Sequence, residues 1–288
     1  MPELAWNRII RSTRDPRTDK PRRQGLTMVN DTGRGLYETR DALSISSHLT
    51  DLWKFSFGTS AFMERRVIME KLELLNSNNI LTFPGGTLLE VALVEHHCRV
   101  YMHHAKKLGF KAVEISDGTI SIPRFRRKNI IDCALNAGLV AITEVGKKDP
   151  KRQPTSEQLA TEALEDLEWG AEWVIVEGRE SGVGIGIYDE HGHVEEIEVD
   201  RIMEIMGDKI NRLIWEAPLR SQQSFLIERF GSNVNIGNIE CNEVLALEAL
   251  RNGLRFETLH GVTKDLLKSG RWDPNEVEPD NTDVKGTD

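Results

Sequence analysis

Between residues 25 and 260 the chain alternates short apolar runs with longer amphipathic stretches eight times over. Few architectures accept that many consecutive βα units. The expected strands are 26–29, 52–57, 80–83, 112–115, 140–144, 173–177, 212–216 and 234–236. Helical stretches follow each of them, at 36–48, 62–75, 88–108, 125–137, 156–170, 199–206, 222–230 and 242–252. Gly109, Gly138 and Gly170 stand between a helix and the next strand, where a residue tolerant of positive φ is needed. Thr155 with Gln158 reads as a capping box. Strands buried on both faces with helices between them imply a parallel sheet. Eight such units fit an α/β fold, the (β/α)8 TIM barrel, better than an open doubly wound sheet of five or six strands.

The expected organisation is a single barrel domain over 25–260, a basic arm over 1–24 and an acidic tail over 261–288. The arm carries Arg8, Arg11, Arg14, Arg17, Lys20, Arg22 and Arg23 against three acids, a balance of +4; the net charge of the whole chain is −9, so the rest carries −13. A nucleic-acid face needs a basic stripe on the folded body, and this body is acidic. The arm is expected to be solvated or docked on the surface, and the acid-rich end from Asp273 onward to be disordered. No run of about 18 apolar residues exists and the N-terminus lacks a signal-peptide core, so neither a membrane partner nor targeting is expected and a cytoplasmic protein is the default. Cys98, Cys133 and Cys241 form no CxxC pair and read as free thiols.

Catalytic groups of such barrels sit at the carboxyl ends of the strands. Those positions are polar here: Asp31, Lys54, Gly85-Gly86-Thr87, Glu114 with Asp117, Glu144 with Lys147, Glu177 with Arg179, Glu216, and Asn235 with Asn238. Acids crowded at one mouth repel unless cations offset them. Lys54, Lys147 and Arg179 do part of this, and a hard divalent ion such as Mg2+ is suited to the rest. Glu114, Glu144, Glu177 and Glu216 are the metal candidates, each also able to pair with a neighbouring Lys or Arg. Lysine at a strand end can bind an anion, form a Schiff base or act as an acid, and spacing does not choose among these. Gly85-Gly86-Thr87 opens a helix and offers backbone N–H groups to an anion. Asn235-Ile236-Gly237-Asn238 is expected after strand eight, where barrels often hold phosphate.

Other motifs carry less. Gly182, Gly184 and Gly186 do not open a helix, so a loop or hairpin over the mouth is expected rather than a dinucleotide site. His96, His97, His103 and His104 share one expected helix in pairs two turns apart, too far for one zinc ion, and read as surface positions. GxSxG, HExxH and GxxxxGKS are absent.

The strand-end segments resemble those of the phosphosulfolactate synthase (ComA) family. The matching segments are KFSFGTS (54–60), PGGTLLE (84–90), LGFKAVEISDGTI (108–120), TEVGKK (143–148), EGRESG (177–182), EAP and SQQ (216–218 and 221–223), VNIGNI (234–239) and LEALRNGLR (247–255). The resemblance implies a (β/α)8-barrel lyase that uses Mg2+ to add sulfite to phosphoenolpyruvate, giving (2R)-phospho-3-sulfolactate. It implies an enediolate-like intermediate protonated by the first lysine of VGKK, Lys147 here. Lys54, Gly85, Gly86, Arg179, Asn235, Gly237 and Asn238 are the expected substrate contacts, and a homo-oligomer is expected. Ser56 and Phe57 depart from the usual KFGWGTS, and Glu257 stands where Asp is usual. Two alternatives stay open: a sister lyase using another nucleophile, and a non-catalytic stress or interaction protein on the same barrel, as in more distant plant relatives.

Overall fold

The computed structural model describes residues 16–277 together with Ala5 and Trp6. Arg8, Arg11, Arg14 and residues 278–288 lie outside the described residues. The eight strands are β1 (Thr27–Asp31), β2 (Leu52–Phe55), β3 (Leu81–Pro84), β4 (Ala112–Ile115), β5 (Val140–Val145), β6 (Trp173–Val176), β7 (Leu213–Glu216) and β8 (Ile236–Glu240). They form one parallel sheet ordered β3-β2-β1-β8-β7-β6-β5-β4, with β3 and β4 adjacent at the seam of a nearly closed barrel. A bond from the Lys111 N–H to the Thr82 carbonyl, 3.1 Å, crosses that seam.

The helices between strands are α1 (Leu36–Ser46), α2 (Arg65–Ser77), α3 (Gly86–Val94), α4 (Cys98–Leu108), α5 (Arg124–Asn136), α6 (Ser156–Glu168), α7 (Glu196–Met206) and α8 (Arg220–Phe230). Two more, α9 (Val244–Arg251) and α10 (Phe256–Lys268), follow β8. The Thr155 and Gln158 side chains form the expected capping box at α6. Gly109, Gly138 and Gly170 all adopt positive φ.

Strand pleating decides what fills the barrel. Alternate residues point inward, so Met28, Leu52, Ala112, Ile142, Ile175 and Ile214 join Leu26, Phe83 and Trp173 in an interior apolar cluster. Two residues further along the same strands come Asn30, Lys54, Glu114, Glu144, Glu177 and Glu216, all buried. The apolar layer is thus a floor, and the polar layer lies on it at the carboxyl-end mouth. A larger apolar shell packs the helices onto the outer strand faces.

Two expectations are corrected. The helix expected over 88–108 is two helices, because His96 adopts φ 59° and closes α3 with a Schellman motif. The His96 N–H bonds the Leu93 carbonyl at 3.2 Å and the His97 N–H the Ala92 carbonyl at 2.7 Å. All four histidines are exposed, as expected, but only His103 and His104 are helical. Position 260, where the barrel segment was expected to end, falls inside α10, which buries Thr258 and Val262. Strand eight begins at Ile236 rather than Val234, which moves its neighbours relative to the mouth.

The described part of the basic arm is docked across the amino-terminal end of the barrel. Arg17 donates to Glu248 at 3.0 Å and to the Gly25 carbonyl at 2.9 Å. The Lys20 ammonium donates to the carbonyls of Ser47, Thr50 and Asn78. Arg22 pairs with Asp51 at 3.0 Å and caps the carbonyls of His48 and Leu49. The Arg22 and Asp51 side chains are 6% and 5% exposed, so breaking that pair strands a buried charge. Arg22→Met is expected to cost about 3 kcal/mol or more of unfolding free energy, read as a lower urea midpoint at unchanged slope.

Candidate active site

A cavity of about 240 Å³ opens at the carboxyl-end mouth, and its wall is built from the ends of several strands. Lys54 on β2 lies at its base, and its ammonium is 2.8 Å from Glu114, 3.1 Å from Glu144 and 3.1 Å from Glu216. Lys148, in the loop after β5, bridges Glu144 at 3.2 Å and Glu177 at 2.5 Å. The remaining carboxylate oxygens take backbone donors. Glu114 accepts the Gly86 N–H at 2.7 Å, Glu177 the Arg179 N–H at 2.8 Å, and Glu216 the Gly178 N–H at 3.1 Å.

Proton affinities follow from this packing. Burial pushes the Glu114 carboxyl up to about 7, with Lys54 opposing and Glu144 and Glu216 adding to the rise. Burial and the repulsion of Glu144 and Glu216 hold Glu177 well above the ordinary carboxyl value despite Lys148. Burial favours protonation of Glu144 as well, but Lys148 and Lys54 outweigh it and hold this carboxyl far below the usual range. For Lys54 and Lys148 burial disfavours the charge, and the surrounding carboxylates outweigh it, so both remain ammonium ions.

Lys54, Gly85, Gly86, Arg179 and Asn238 line the cavity together with Glu114, Glu177 and Glu216. Glu144 is not on the wall; it lies beneath, under the two lysines. A Cβ on Gly86 would sit 2.3 Å from Ser116 Oγ and 2.8 Å from Glu114 Oε1, so glycine is required there. The Gly86 N–H, expected to be offered to an anion, is already committed to Glu114.

Asn235 and Gly237 do not reach the mouth. Asn235 precedes β8 at the opposite end of the barrel, where it accepts the Leu26 N–H and donates to the Asn211 and Leu213 carbonyls. Gly237 lies within β8, and a Cβ there would meet Met28 at 2.3 Å and Ile214 at 3.2 Å in the interior floor. The segment expected as a loop is therefore strand, and only Asn238 emerges.

Lys147, the expected acid, turns away from the cavity and bonds Asp117 at 2.6 Å. The next residue, Lys148, occupies the place expected of it. The sequence held a signal for this: Ile142, Glu144, Gly146 and Lys148 share one parity, and the first two face inward. The reading also missed Asn30 and Glu180 on the wall, which Ser56, Phe57 and Thr87 line as well. The Ser56 hydroxyl bonds the Asn30 side chain, so it is tied into the wall. Phe57 (φ 54°), Arg179 (φ 56°) and Asn238 (φ 57°) hold the left-handed conformation that non-glycine residues avoid, and all three border the cavity. Such strain concentrates at functional sites. Asn238 steadies the second by donating to the Arg179 carbonyl at 2.9 Å. The glycines at 182, 184 and 186 all have positive φ and belong to the loop after β6, whose tip forms a small antiparallel bridge between Tyr188 and Val194.

Among the described residues no three of His, Cys, Asp and Glu close into a metal cage, because two ammonium groups space the glutamates apart. Magnesium needs no cage; it takes one or two carboxylates and completes its shell with water and substrate oxygens. Four carboxylates against two ammonium ions leave net negative charge at the site, so the donor set suits a hard divalent cation.

Eight parallel strands with acids and lysines gathered at their carboxyl ends define a (β/α)8-barrel enzyme. The chain belongs to the (2R)-phospho-3-sulfolactate synthase (ComA) family, whose profile matches residues 15–257, and is an enzyme of that kind. It is 41% identical to the phosphosulfolactate synthase of Methanothermobacter thermautotrophicus over 251 residues, 86% of this chain and 96% of that one. It is 43% identical to the phosphosulfolactate synthase of Methanocaldococcus jannaschii, covering 83% and 95% of the two chains. To that of Bacillus subtilis it is 36% identical, covering 84% and 95%. A crystal structure from Coccidioides immitis superposes with TM-score 0.51 at 12% identity over 85% of this chain and 90% of that one, a likeness of fold alone. No helix of the described residues is long and apolar enough to cross a membrane.

Proposed function

We propose that the protein adds sulfite to phosphoenolpyruvate, with Mg2+, to give (2R)-phospho-3-sulfolactate, and that Lys148 rather than Lys147 delivers the proton. The observation that carries this reading is the pair of lysines, Lys54 and Lys148, set among four glutamates at the mouth cavity of a chain from this family. The sulfur lone pair attacks the methylene carbon, and the electron pair of the double bond moves toward the carboxylate. The middle carbon then needs a proton on one face. The Lys148 side chain is 34% exposed, lines the cavity and enters the reaction charged because Glu144 and Glu177 hold it so. Lys54 is more deeply set and supplies fixed positive charge where the carboxylate gains negative charge.

Arg179 differs from both lysines. Its side chain is 38% exposed and its ion-pair partner, Glu180, is 3.9 Å away, so it is the cation best placed to take a phosphate or sulfite oxygen. Glu114, Glu177 and Glu216 are the acids on the cavity wall and would hold the Mg2+. The bound ion would neutralise substrate charge and favour enediolate formation.

Purified protein mixed with phosphoenolpyruvate, sulfite and Mg2+ is expected to show a new phosphosulfolactate resonance by phosphorus NMR, and EDTA is expected to suppress it. Absence of that resonance under both conditions overturns the proposal. If other nucleophiles react with phosphoenolpyruvate where sulfite does not, the chain is a sister lyase.

A further inference from the structure

We propose that Lys147, Asp117 and Gly118 form a rail that positions Lys148, an inference that rests on Lys148 being the proton donor. The loops after β4 and β5 are joined at three points. The Lys148 N–H bonds the Gly118 carbonyl at 3.0 Å. The Lys147 ammonium bonds the Asp117 carboxylate at 2.6 Å and the Asp117 carbonyl at 2.8 Å. The aliphatic stem of Lys148 then lies across Gly118 so closely that a Cβ there would stand 3.1 Å from its Cγ and 3.2 Å from its Cε. One lysine thus fastens the loops while its neighbour is laid along them toward the cavity.

A rail works only if it is stiff, and the loop after β4 is fixed from two sides. Glu90 on α3 accepts the Ser116 hydroxyl at 2.8 Å and the N–H groups of Thr119 and Ile120 at 3.0 and 2.9 Å. Asp117 is held at 3.3 Å by Arg127, a fully buried residue of α5 that also grips Asp166 and the carbonyl of Glu144. Arg127 therefore touches both the rail and the strand that carries the acid partner of Lys148. An unguided lysine has four rotatable side-chain bonds, and a displacement of about 1 Å at a reacting group can cost about 10²-fold in rate. Lys147 is a positioning residue: it does not line the cavity and acts through the residue beside it.

A double-mutant cycle separates this role from a merely structural one. Lys147→Met is expected to lower kcat about tenfold or more while KM for phosphoenolpyruvate changes less than about twofold. Lys147→Arg, which still reaches Asp117, is expected to recover most of that loss. In a Lys148→Met background the further change Lys147→Met is expected to alter kcat less than about twofold, because the group it positions is gone. Equal losses in the two backgrounds overturn the proposal. A second reading does not need turnover. In ¹⁵N spectra of lysine-labelled protein the Lys148 ammonium signal, assigned by its loss in Lys148→Met, is expected to shift in both Lys147→Met and Gly118→Ala. An unshifted signal in both overturns the rail even if the wild type proves inactive, an outcome that would count against the proposed reaction instead.

Discussion

Lys148→Met is expected to lower kcat and kcat/KM for phosphosulfolactate formation together by about 10²- to 10⁴-fold, the usual contribution of a positioned proton donor. Methionine keeps the length and much of the apolar stem but cannot donate. The fold is expected to survive, because the side chain is 34% exposed and its two acid partners keep other donors: Lys54 for Glu144 and the Arg179 N–H for Glu177. The comparison that decides the assignment is with Lys147→Met, whose loss is indirect. Should Lys147→Met prove the more damaging of the two, the proton donor has been placed on the wrong lysine. Initial rates at saturating and limiting phosphoenolpyruvate, with circular dichroism to confirm folding, provide the measurement.

The architecture was legible because each layer of it leaves a period in the sequence. An inward apolar residue followed two positions later by a charged one, as in Ile142 and Glu144 or Ile214 and Glu216, marks both the strand and its exit at the mouth. The four glutamates and Lys54 could therefore be found from strand ends alone, and all five meet in one cluster. What was not legible depended on backbone choices without strong sequence marks. The end of α3 needs a left-handed residue, and the chain uses His96 there instead of the glycine that would have announced it. Strand eight is bounded by no apolar run, since Gly237, Asn238 and Glu240 interrupt it. Its start was therefore misplaced by two residues, and Asn235 and Gly237 were carried to the wrong end of the barrel. The lysine pair posed a subtler problem. Gly146 has φ 119°, and a Cβ there would lie 2.7 Å from Glu177 Cβ, so the chain leaves β5 pressed against β6. Which of Lys147 and Lys148 turns inward follows from that exit, and the parity rule was its only trace in the sequence.

Buried charges in the helical layer were also invisible to sequence reasoning. Lys71 on α2 is fully buried against Asp31, which also accepts the Trp53 indole N–H at 2.7 Å. Asp31 was noted among the polar strand ends, yet this pairing commits it to holding α2 against the barrel and keeps it off the cavity wall. Arg127 ties α5 to α6 through Asp166 and to the barrel through the Glu144 carbonyl. A charged residue on a helix usually reads as solvated surface, and only the partner opposite shows otherwise.

Lys54→Met is expected to destabilise the folded protein by about 3–5 kcal/mol, the usual cost of removing one member of a buried ionic cluster, as well as to abolish most activity. The ammonium lies within 3.1 Å of three carboxylates whose side chains are 1% to 2% exposed. Without it Glu114, Glu144 and Glu216 face one another with Lys148 as the remaining ammonium partner in the cluster. The sign of the pH dependence follows from Glu114. Burial already places its folded pKa near 7, above the ordinary 4.5, and Lys54 is the group that restrains the rise. Removing Lys54 raises the folded value further. A carboxyl whose folded pKa exceeds its unfolded one binds a proton on folding, so falling pH favours the folded state until the unfolded carboxyl is also protonated. The deficit of Lys54→Met relative to wild type is therefore expected to be larger near about pH 8 than near about pH 7, and to level off below about 7, where the wild-type carboxyl takes up its proton as well. Urea unfolding of both proteins at those pH values tests this directly. A deficit that is below about 1 kcal/mol at the higher pH, or that widens as the pH falls, would show that Lys54 is not the charge that lets these acids share one buried floor.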